Sequence, residues 1–464
     1  MIPDPVGTDR AIGALLGLAT GDALGAGYEF TDEPADPIEM IGGGPFALAP
    51  GEWTDDTAMA VAIAEVAATG DINEETIGDR FLEWYRSGPP DVGNQTRAVL
   101  DGATSGAELT ASARAYHERN PSNSAGNGSL MRTAPVALVN LGDDDAIVAA
   151  AREVSALTHA DPLCTDACVL WCIAIDRAIR FGRLDGVRDG LPYVDVAWAT
   201  RIEEAEHAPM RTFKPNGFVV TALQAAYAAI VQTPIPGDVP CTHLQDALRN
   251  AVRIGHDTDT VAAIAGMVLG ARWGSSAIPL AWKAKLHGWP GYRARDLVRL
   301  AALAYHRGSD DHLDWPSVPS LLDRYVEQGY PPRATALPDD PDVLVGSAAA
   351  LQIVEVDVVV SLCRMGTQEP GSERHDVYLI DDLDANPNLD FVLADTAEQI
   401  VRWRDEGRTV FLHCAAGVSR TPTVAAAYLT RRLGISGAEA LDRVERAMAW
   451  ANPNPAFREA LRRL

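Results

Sequence analysis

The chain has 464 residues, of which 47% are hydrophobic, and a formal net charge of −25. That length favours two domains over one, and the hydrophobic fraction suffices for a sizeable core. The charge argues against non-specific binding to nucleic acid or an anionic membrane, and it obliges any phosphate-bearing ligand to find local cations or N–H donors.

In chain order, Asp9 to Leu24 predicts a helix capped by Asp9, with Ile12, Leu15, Leu16 and Leu18 on its apolar side. It runs into a glycine-rich stretch, Gly21 to Gly27, that ends near Glu29; Glu29 reads either as a solvated acid or as a presented one. Trp53-Thr54-Asp55-Asp56-Thr57 opens an apolar helix from Ala58 to Ala68, and a helical pattern follows over Ile77 to Tyr85. Pro89 to Asn94 breaks that pattern and starts another helix, with Asp91 as a plain cap or as an acid on a rigid loop. Ser124 to Arg132 is a small-residue loop suited to wrapping a ligand or to facing solvent. Thr158 to Pro162 caps a helix that carries Cys164, Cys168 and Cys172 on one face, where small buried packing residues are expected.

Gly255-His256-Asp257-Thr258-Asp259-Thr260 repeats the design of the first acidic turn and opens a buried helix over Val261 to Leu269. A single such turn reads as a helix cap. Two of them meeting in one core would set four carboxylates together, and without a cation these would repel. With one or two hard cations between them they form an oxygen-only site suited to Mg²⁺ or Mn²⁺.

Strand patterns are scarce through about Gly308, so the first region predicts an all-α bundle with its function on loops. Prolines then mark a connector over 308–337. Beyond it, apolar β-branched runs at Val343 to Val345, Val356 to Leu362, Val377 to Ile380 and Thr409 to Leu412 alternate with helical patterns at Thr396 to Arg404, Pro422 to Leu433 and Ala438 to Ala449. The expected division is a helical domain over 1–307, the connector, and a small α/β domain with a largely parallel sheet over 338–464. The six cysteines show no disulfide or zinc framework. No basic region precedes an apolar run at the start, and no stretch is long enough to span a bilayer. The expectation is therefore a soluble cytoplasmic protein.

In the last quarter, a strand delivers His413-Cys414 into the small-residue loop Ala415-Ala416-Gly417-Val418-Ser419, followed by Arg420-Thr421 and a helix. Such a loop aims backbone N–H groups at one spot, which suits an oxyanion and lowers a thiol pKa. Cys414 then reads as a nucleophile, Arg420 as a bidentate grip on phosphate oxygens, and Thr421 as a stabiliser of the departing thiolate. The H-C-x5-R-[ST] pattern resembles the cysteine-dependent tyrosine and dual-specificity phosphatases. The resemblance implies a proton donor on an upstream loop, here Asp381 to Asn386, with Asp384 favoured and Asp382 second. It implies no cofactor.

The acidic turns, the glycine loops and the all-α pattern together resemble the ADP-ribosylglycohydrolases, most of all the bacterial dinitrogenase reductase-activating type. The resemblance implies two Mg²⁺ or Mn²⁺ ions held by Thr54, Asp55, Asp56, Asp257, Asp259 and Thr260. It makes Glu29 a mobile-loop acid near the ribose and Asp91 an acid that handles substrate. It places Gly126, Asn127, Gly128, Ser129, Met131, Arg132 and His159 around ADP-ribose. His256 departs from the family pattern, where many relatives carry a small residue. The expected function is a bifunctional hydrolase. One domain would cleave an ADP-ribosylated protein or ADP-ribose conjugate, with arginine the first linkage expected, and the other a phosphorylated protein or small molecule. The alternatives are small-molecule conjugate metabolism and an ADP-ribose-binding module with silent sites.

Overall fold

The computed structural model describes residues 4–368, 371–381 and 385–464. It divides into two compact units, a larger one built on Gly7–Ile278 with Lys285–Ser309 and a smaller one built on Asp310–Leu464.

The larger unit is helical. At its centre lie Pro5–Gly25 and Thr258–Trp273, two helices buried on almost every side, as expected when a helix is apolar all round. Glycine lets them touch backbone to backbone. A Cβ at Gly13, Gly17 or Gly21 would lie 2.2, 2.2 and 2.0 Å from the carbonyl oxygens of Gly270, Gly266 and Ala262. The helix Asp55–Ala67 is likewise buried on nearly all sides. Pro162–Phe181 docks on the central pair through Trp171 Nε1, which donates to Ile264 O at 2.9 Å. Asp9 is no cap. The first helix begins at Pro5, and the Asp9 carboxylate is buried within it. It accepts from Ser275 Oγ at 2.6 Å and from Ser276 N at 3.0 Å, tying the two central helices at one end. The capping expectation failed because four further residues continue the helix upstream.

The smaller unit is α/β. Its sheet runs Ala334–Leu337, Asp340–Ser347, Val410–Cys414, Val358–Ser361, Glu373–Asp376 across its width. The first pair is antiparallel and the others are parallel. Val410–Cys414 is the middle strand and is buried throughout, hence its unbroken apolar run. The helices Leu389–Asp405, Arg420–Leu433, Gly437–Ala447 and Pro455–Arg463 complete the unit. The strand expected at Val377 to Ile380 is instead Glu373–Asp376, and 377–380 is irregular. An edge strand protected by charged residues hides from an apolar pattern, and the apolar run that follows it belongs to the loop. The proline-rich stretch carries a short helix, Leu322–Glu327, and the antiparallel edge strand.

Candidate functional site

The two acidic turns meet in the larger unit, because each is fixed from outside. Asp22 lies fully buried in the first helix. It accepts from Thr54 N at 3.1 Å, Thr54 Oγ1 at 2.9 Å, Thr57 N at 3.0 Å and Thr57 Oγ1 at 2.6 Å. One carboxylate thus serves the exposed donors at the start of the helix Asp55–Ala67. The second turn is clamped by Asn216, which donates to Gly255 O and accepts from Asp257 N, both at 3.0 Å. Gly255 and His256 carry φ of 89° and 68° there. Thr258 Oγ1 donates to Gly25 O at 2.8 Å, and Thr260 Oγ1 donates to Asp56 Oδ1 at 3.2 Å. That last bond joins the two turns.

Around this junction the other acids gather. Carboxylate oxygens of Glu29, Asp257 and Asp259 lie within 4.8 Å of one another. Gly93 N, two residues past Asp91, donates to Asp55 Oδ2 at 3.2 Å, and Asn127 Nδ2 donates to Asp257 Oδ2 at 2.7 Å. Asp91 is no helix cap, since the next helix starts at Asn94 with Gly93 as its cap residue. Burial raises Asp55 to about 6, Asp22 to about 7, Glu29 to about 8 and Asp91 to about 9. It also lifts Asp56 and Asp259 well above the carboxylate range; repulsion among neighbouring acids adds to this in all but Asp22. Asp56 Oδ2 and Glu29 Oε2 are buried without a hydrogen-bond partner. An oxygen-only donor set with orphaned buried carboxylate oxygens fits a hard divalent cation.

The loop 124–132 forms the neighbouring wall. Gly126 bridges to Phe218, and Asn127 N donates to Gly217 O at 3.1 Å. The cysteine face of Pro162–Phe181 backs it: Cys164 Sγ reaches Gly126 O at 3.2 Å, and Cys168 Sγ reaches Ser129 Oγ at 3.6 Å. His159 lies against Gly128, where a Cβ would be 2.9 Å from the ring, and its Nδ1 meets Thr158 Oγ1 at 2.8 Å. Burial holds His159 neutral, at about 3. Ser129, Met131 and Arg132 are buried. The Arg132 guanidinium stacks on Phe81 at 4.4 Å and donates to Thr158 Oγ1 at 2.7 Å. It braces the wall from within, and Asn127 is the loop residue that reaches the carboxylates.

In the smaller unit, Cys414 ends the middle strand and is buried. The loop 415–419 turns at Gly417, where φ is 72° and a Cβ would lie 2.7 Å from Gly346 O; a side chain there would clash as well as strain. Arg420 opens the following helix and is held by Leu362 O at 2.6 Å and Leu379 O at 3.2 Å, with its Nε buried and unpartnered. Thr421 Oγ1 donates to Gly346 O at 3.2 Å, so its one hydrogen is turned to the strand and not to Cys414. His413 bonds Ser361 Oγ at 2.8 Å, and burial holds it neutral, at about 3. Asp382 and Asp384 lie outside the described residues. Asp381 accepts from Ser419 Oγ at 2.7 Å and Asn454 Nδ2 at 2.9 Å.

Residues 3–311 match the family model described as ADP-ribosylglycohydrolase. The chain belongs to the ADP-ribosylglycohydrolase family. A relative in Pseudomonas putida (strain GB-1), the ADP-ribosylarginine hydrolase Tri1, is 32% identical over 66% of this chain and 81% of its own. The ADP-ribosyl-[dinitrogen reductase] glycohydrolase of Rhodospirillum rubrum is 32% identical over 60% of this chain and 90% of its own. A solved structure described as an ADP-ribosylglycohydrolase-related protein complex superposes with a TM-score of 0.51 at 28% identity, covering 65% of this chain and 99% of its own. Residues 344–464 match the model of the dual specificity phosphatase catalytic domain. This ADP-ribosylglycohydrolase thus carries a phosphatase-type domain that follows its helical one in sequence. Of its positioning residues Asp22, Asn216 and Asn454, the last two escape a motif reading, since each acts through the backbone or hydroxyls of another segment. Only Asp22 has a sequence cue, being the one acid inside the first glycine stretch.

Proposed function

We propose that this ADP-ribosylglycohydrolase is bifunctional: its helical domain uses divalent cations to release ADP-ribose from modified arginine, and its second domain hydrolyses phosphomonoesters through Cys414. The observation that carries the first half is the Thr260–Asp56 bond, which brings both acidic turns to one point. Thr54, Asp55, Asp56, Asp257, Asp259 and Thr260 are the residues that would hold two Mg²⁺ or Mn²⁺ ions. Bound there, such ions neutralise the carboxylates and supply Lewis acidity toward ribose hydroxyls and water. The chain's own groups do the rest. Cleavage of the glycosidic bond builds oxocarbenium character on the ribose, which the acidic surroundings favour. Asn127 orients Asp257. Asp91 and Glu29 are the carboxyl groups assigned to hold or deliver the proton that a departing guanidine requires. The arginine linkage is supported by the Pseudomonas relative's name.

In the second domain, Cys414 is the nucleophile, the 415–419 N–H groups and Arg420 hold the phosphoryl oxygens, and Thr421 steadies the loop through Gly346. Asp381 is engaged by Ser419 and Asn454, which leaves Asp384, then Asp382, as the donor to the leaving oxygen.

The test is a product assay on ADP-ribosyl-arginine, ADP-ribosyl-serine and free conjugates, with and without a chelator, beside p-nitrophenyl phosphate. Asp55→Ala should cut ADP-ribose release at least about a hundredfold and spare phosphatase turnover. Cys414→Ser should cut phosphatase turnover by about 10³ or more and spare ADP-ribose release. Chelator-resistant release, or either substitution silencing both reactions, sinks the reading.

A further inference from the structure

The phosphatase domain has a cavity that extends beyond the groups its hydrolytic chemistry uses. It measures about 630 Å³ and opens beside the Cys414 loop, lined by Val418, Ser419, Asp381, Asn454, Arg458 and Arg462. That volume is in the range of sites that take small molecules. Its walls are fixed in advance. Asn452 N donates to Val418 O at 2.7 Å, Asn454 N donates to Ser419 Oγ at 3.2 Å, and Asp381 is shared by Ser419 and Asn454. Arg458 and Arg462 stand one turn apart on the helix Pro455–Arg463, so both face the same side.

The lining carries two arginines, Arg458 and Arg462, against one acid, Asp381, in a protein of net charge −25. Arg458 is braced by Glu445 at 2.7 Å and by Pro453 O at 3.1 Å, which holds its planar head in place. Arg462 pairs with Glu459 at 2.7 Å and is exposed, so an anion can compete for it at little cost. The acidic member, Asp381, is already occupied by two donors, Ser419 from the loop and Asn454 from the helix cap.

We propose that this cavity is a second anion subsite, and that the domain's substrate is a small molecule bearing a second phosphate beyond the one placed on Cys414. The inference rests on the reading of this domain as a phosphatase. The volume and the prearranged arginine pair set the class: the first phosphate occupies the N–H loop and Arg420, and the second is gripped by Arg458 and Arg462 with Asn454 alongside. Arginine is suited to this because its fork matches phosphate oxygens.

The test uses the full chain and inhibition of p-nitrophenyl phosphate hydrolysis by alkanediol monophosphates and bisphosphates of two to six carbons, which vary reach without a preferred scaffold. At one length the bisphosphate should inhibit at least about tenfold more tightly than its monophosphate, the worth of one charge-assisted contact. Arg458→Met with Arg462→Met keeps the apolar stems; it should erase that advantage while leaving monophosphate inhibition and p-nitrophenyl phosphate turnover in place. The subsite is wrong if no bisphosphate beats its monophosphate, or if the double variant keeps the preference. Tight inhibition by a doubly phosphorylated peptide alone overturns the small-molecule class. Should p-nitrophenyl phosphate not be hydrolysed at all, the phosphatase reading fails. Calorimetric binding of the same compounds to the Cys414→Ser protein, with and without the arginine substitutions, then decides the subsite on its own.

Discussion

A single buried carboxylate sets the geometry of the first acidic turn. Asp22 accepts two backbone N–H groups and two hydroxyls from Thr54 and Thr57. Replacing it leaves those donors buried without an acceptor, and each unsatisfied group costs about 1–3 kcal/mol. Asp22→Ala should therefore destabilise the helical domain by about 3 kcal/mol or more, read by denaturant unfolding. Asp22→Asn is no rescue, because one of its two oxygens becomes an NH₂ group facing donors. Stability of Asp22→Asn equal to that of the parent would show that the turn is held by something else. Residue by residue, the carboxylates and hydroxyls of the two turns were legible because they stand together in the sequence. Asn216 was not, since it clamps Gly255 and Asp257 from 39 and 41 positions away. Arg132 was legible as part of its loop, but its burial against Phe81 was not, because nothing in a loop's composition says which side chain turns inward.

At the level of elements, the second turn is placed by a helix pair that only glycine permits. Gly13, Gly17, Gly21 and Gly25 recur every fourth residue along one face, and Gly266 and Gly270 answer them from the partner helix. Glycine in a helix interior costs stability relative to alanine, so the repeated penalty is offset by close packing. Gly17→Ala would put a methyl group 2.2 Å from Gly266 O. Forcing the helices apart should cost about 1–3 kcal/mol and also displace Thr258 from Gly25 O, so activity should fall before the fold does. Thermal unfolding and ADP-ribose release measured on one preparation check this; a variant with unchanged Tm and unchanged release contradicts it. The stripe was visible in the sequence only as a glycine-rich turn, because period-four glycine reads as helix packing only when the opposing helix is known. The β domain shows the reverse. Its buried middle strand announced itself by apolar residues, whereas the charged edge strand Glu373–Asp376 and the antiparallel strand Ala334–Leu337 lay outside every apolar run.

For the whole molecule, the two units differ in their response to acid, and the proposed metal site makes them differ in their response to cations. His159 in the larger unit and His413 in the smaller are both held neutral, at about 3, by burial, to which nearby arginines add. A histidine whose folded pKa lies below its unfolded value of about 6.5 binds its proton more readily when unfolded. Each therefore withdraws stability as pH falls below about 6.5, by up to roughly 1.4 kcal/mol per pH unit until the folded pKa is reached. In the larger unit the raised carboxyls of Asp22, Glu29, Asp55 and Asp91 oppose this, because without a cation they bind protons more readily when folded and so add stability as pH falls toward 4. The smaller unit should lose stability from neutral pH toward pH 4, and His413→Gln should flatten that loss. The cation response that the proposed metal site implies is confined to the larger unit. A ligand that binds only the folded form stabilises it by about 2.7 kcal/mol at a hundred times its Kd, which for a unit of this size is roughly 4 °C. Mg²⁺ or Mn²⁺ should raise the melting of the ADP-ribosylglycohydrolase unit by that order and leave the phosphatase unit where it is. Asp257→Ala should remove the shift, and Cys414→Ser should not. Calorimetry of the full chain separates the outcomes: two transitions of which one moves supports two independent heads, whereas a single transition that moves as a whole means the heads unfold as one and the cation's stabilisation reaches both.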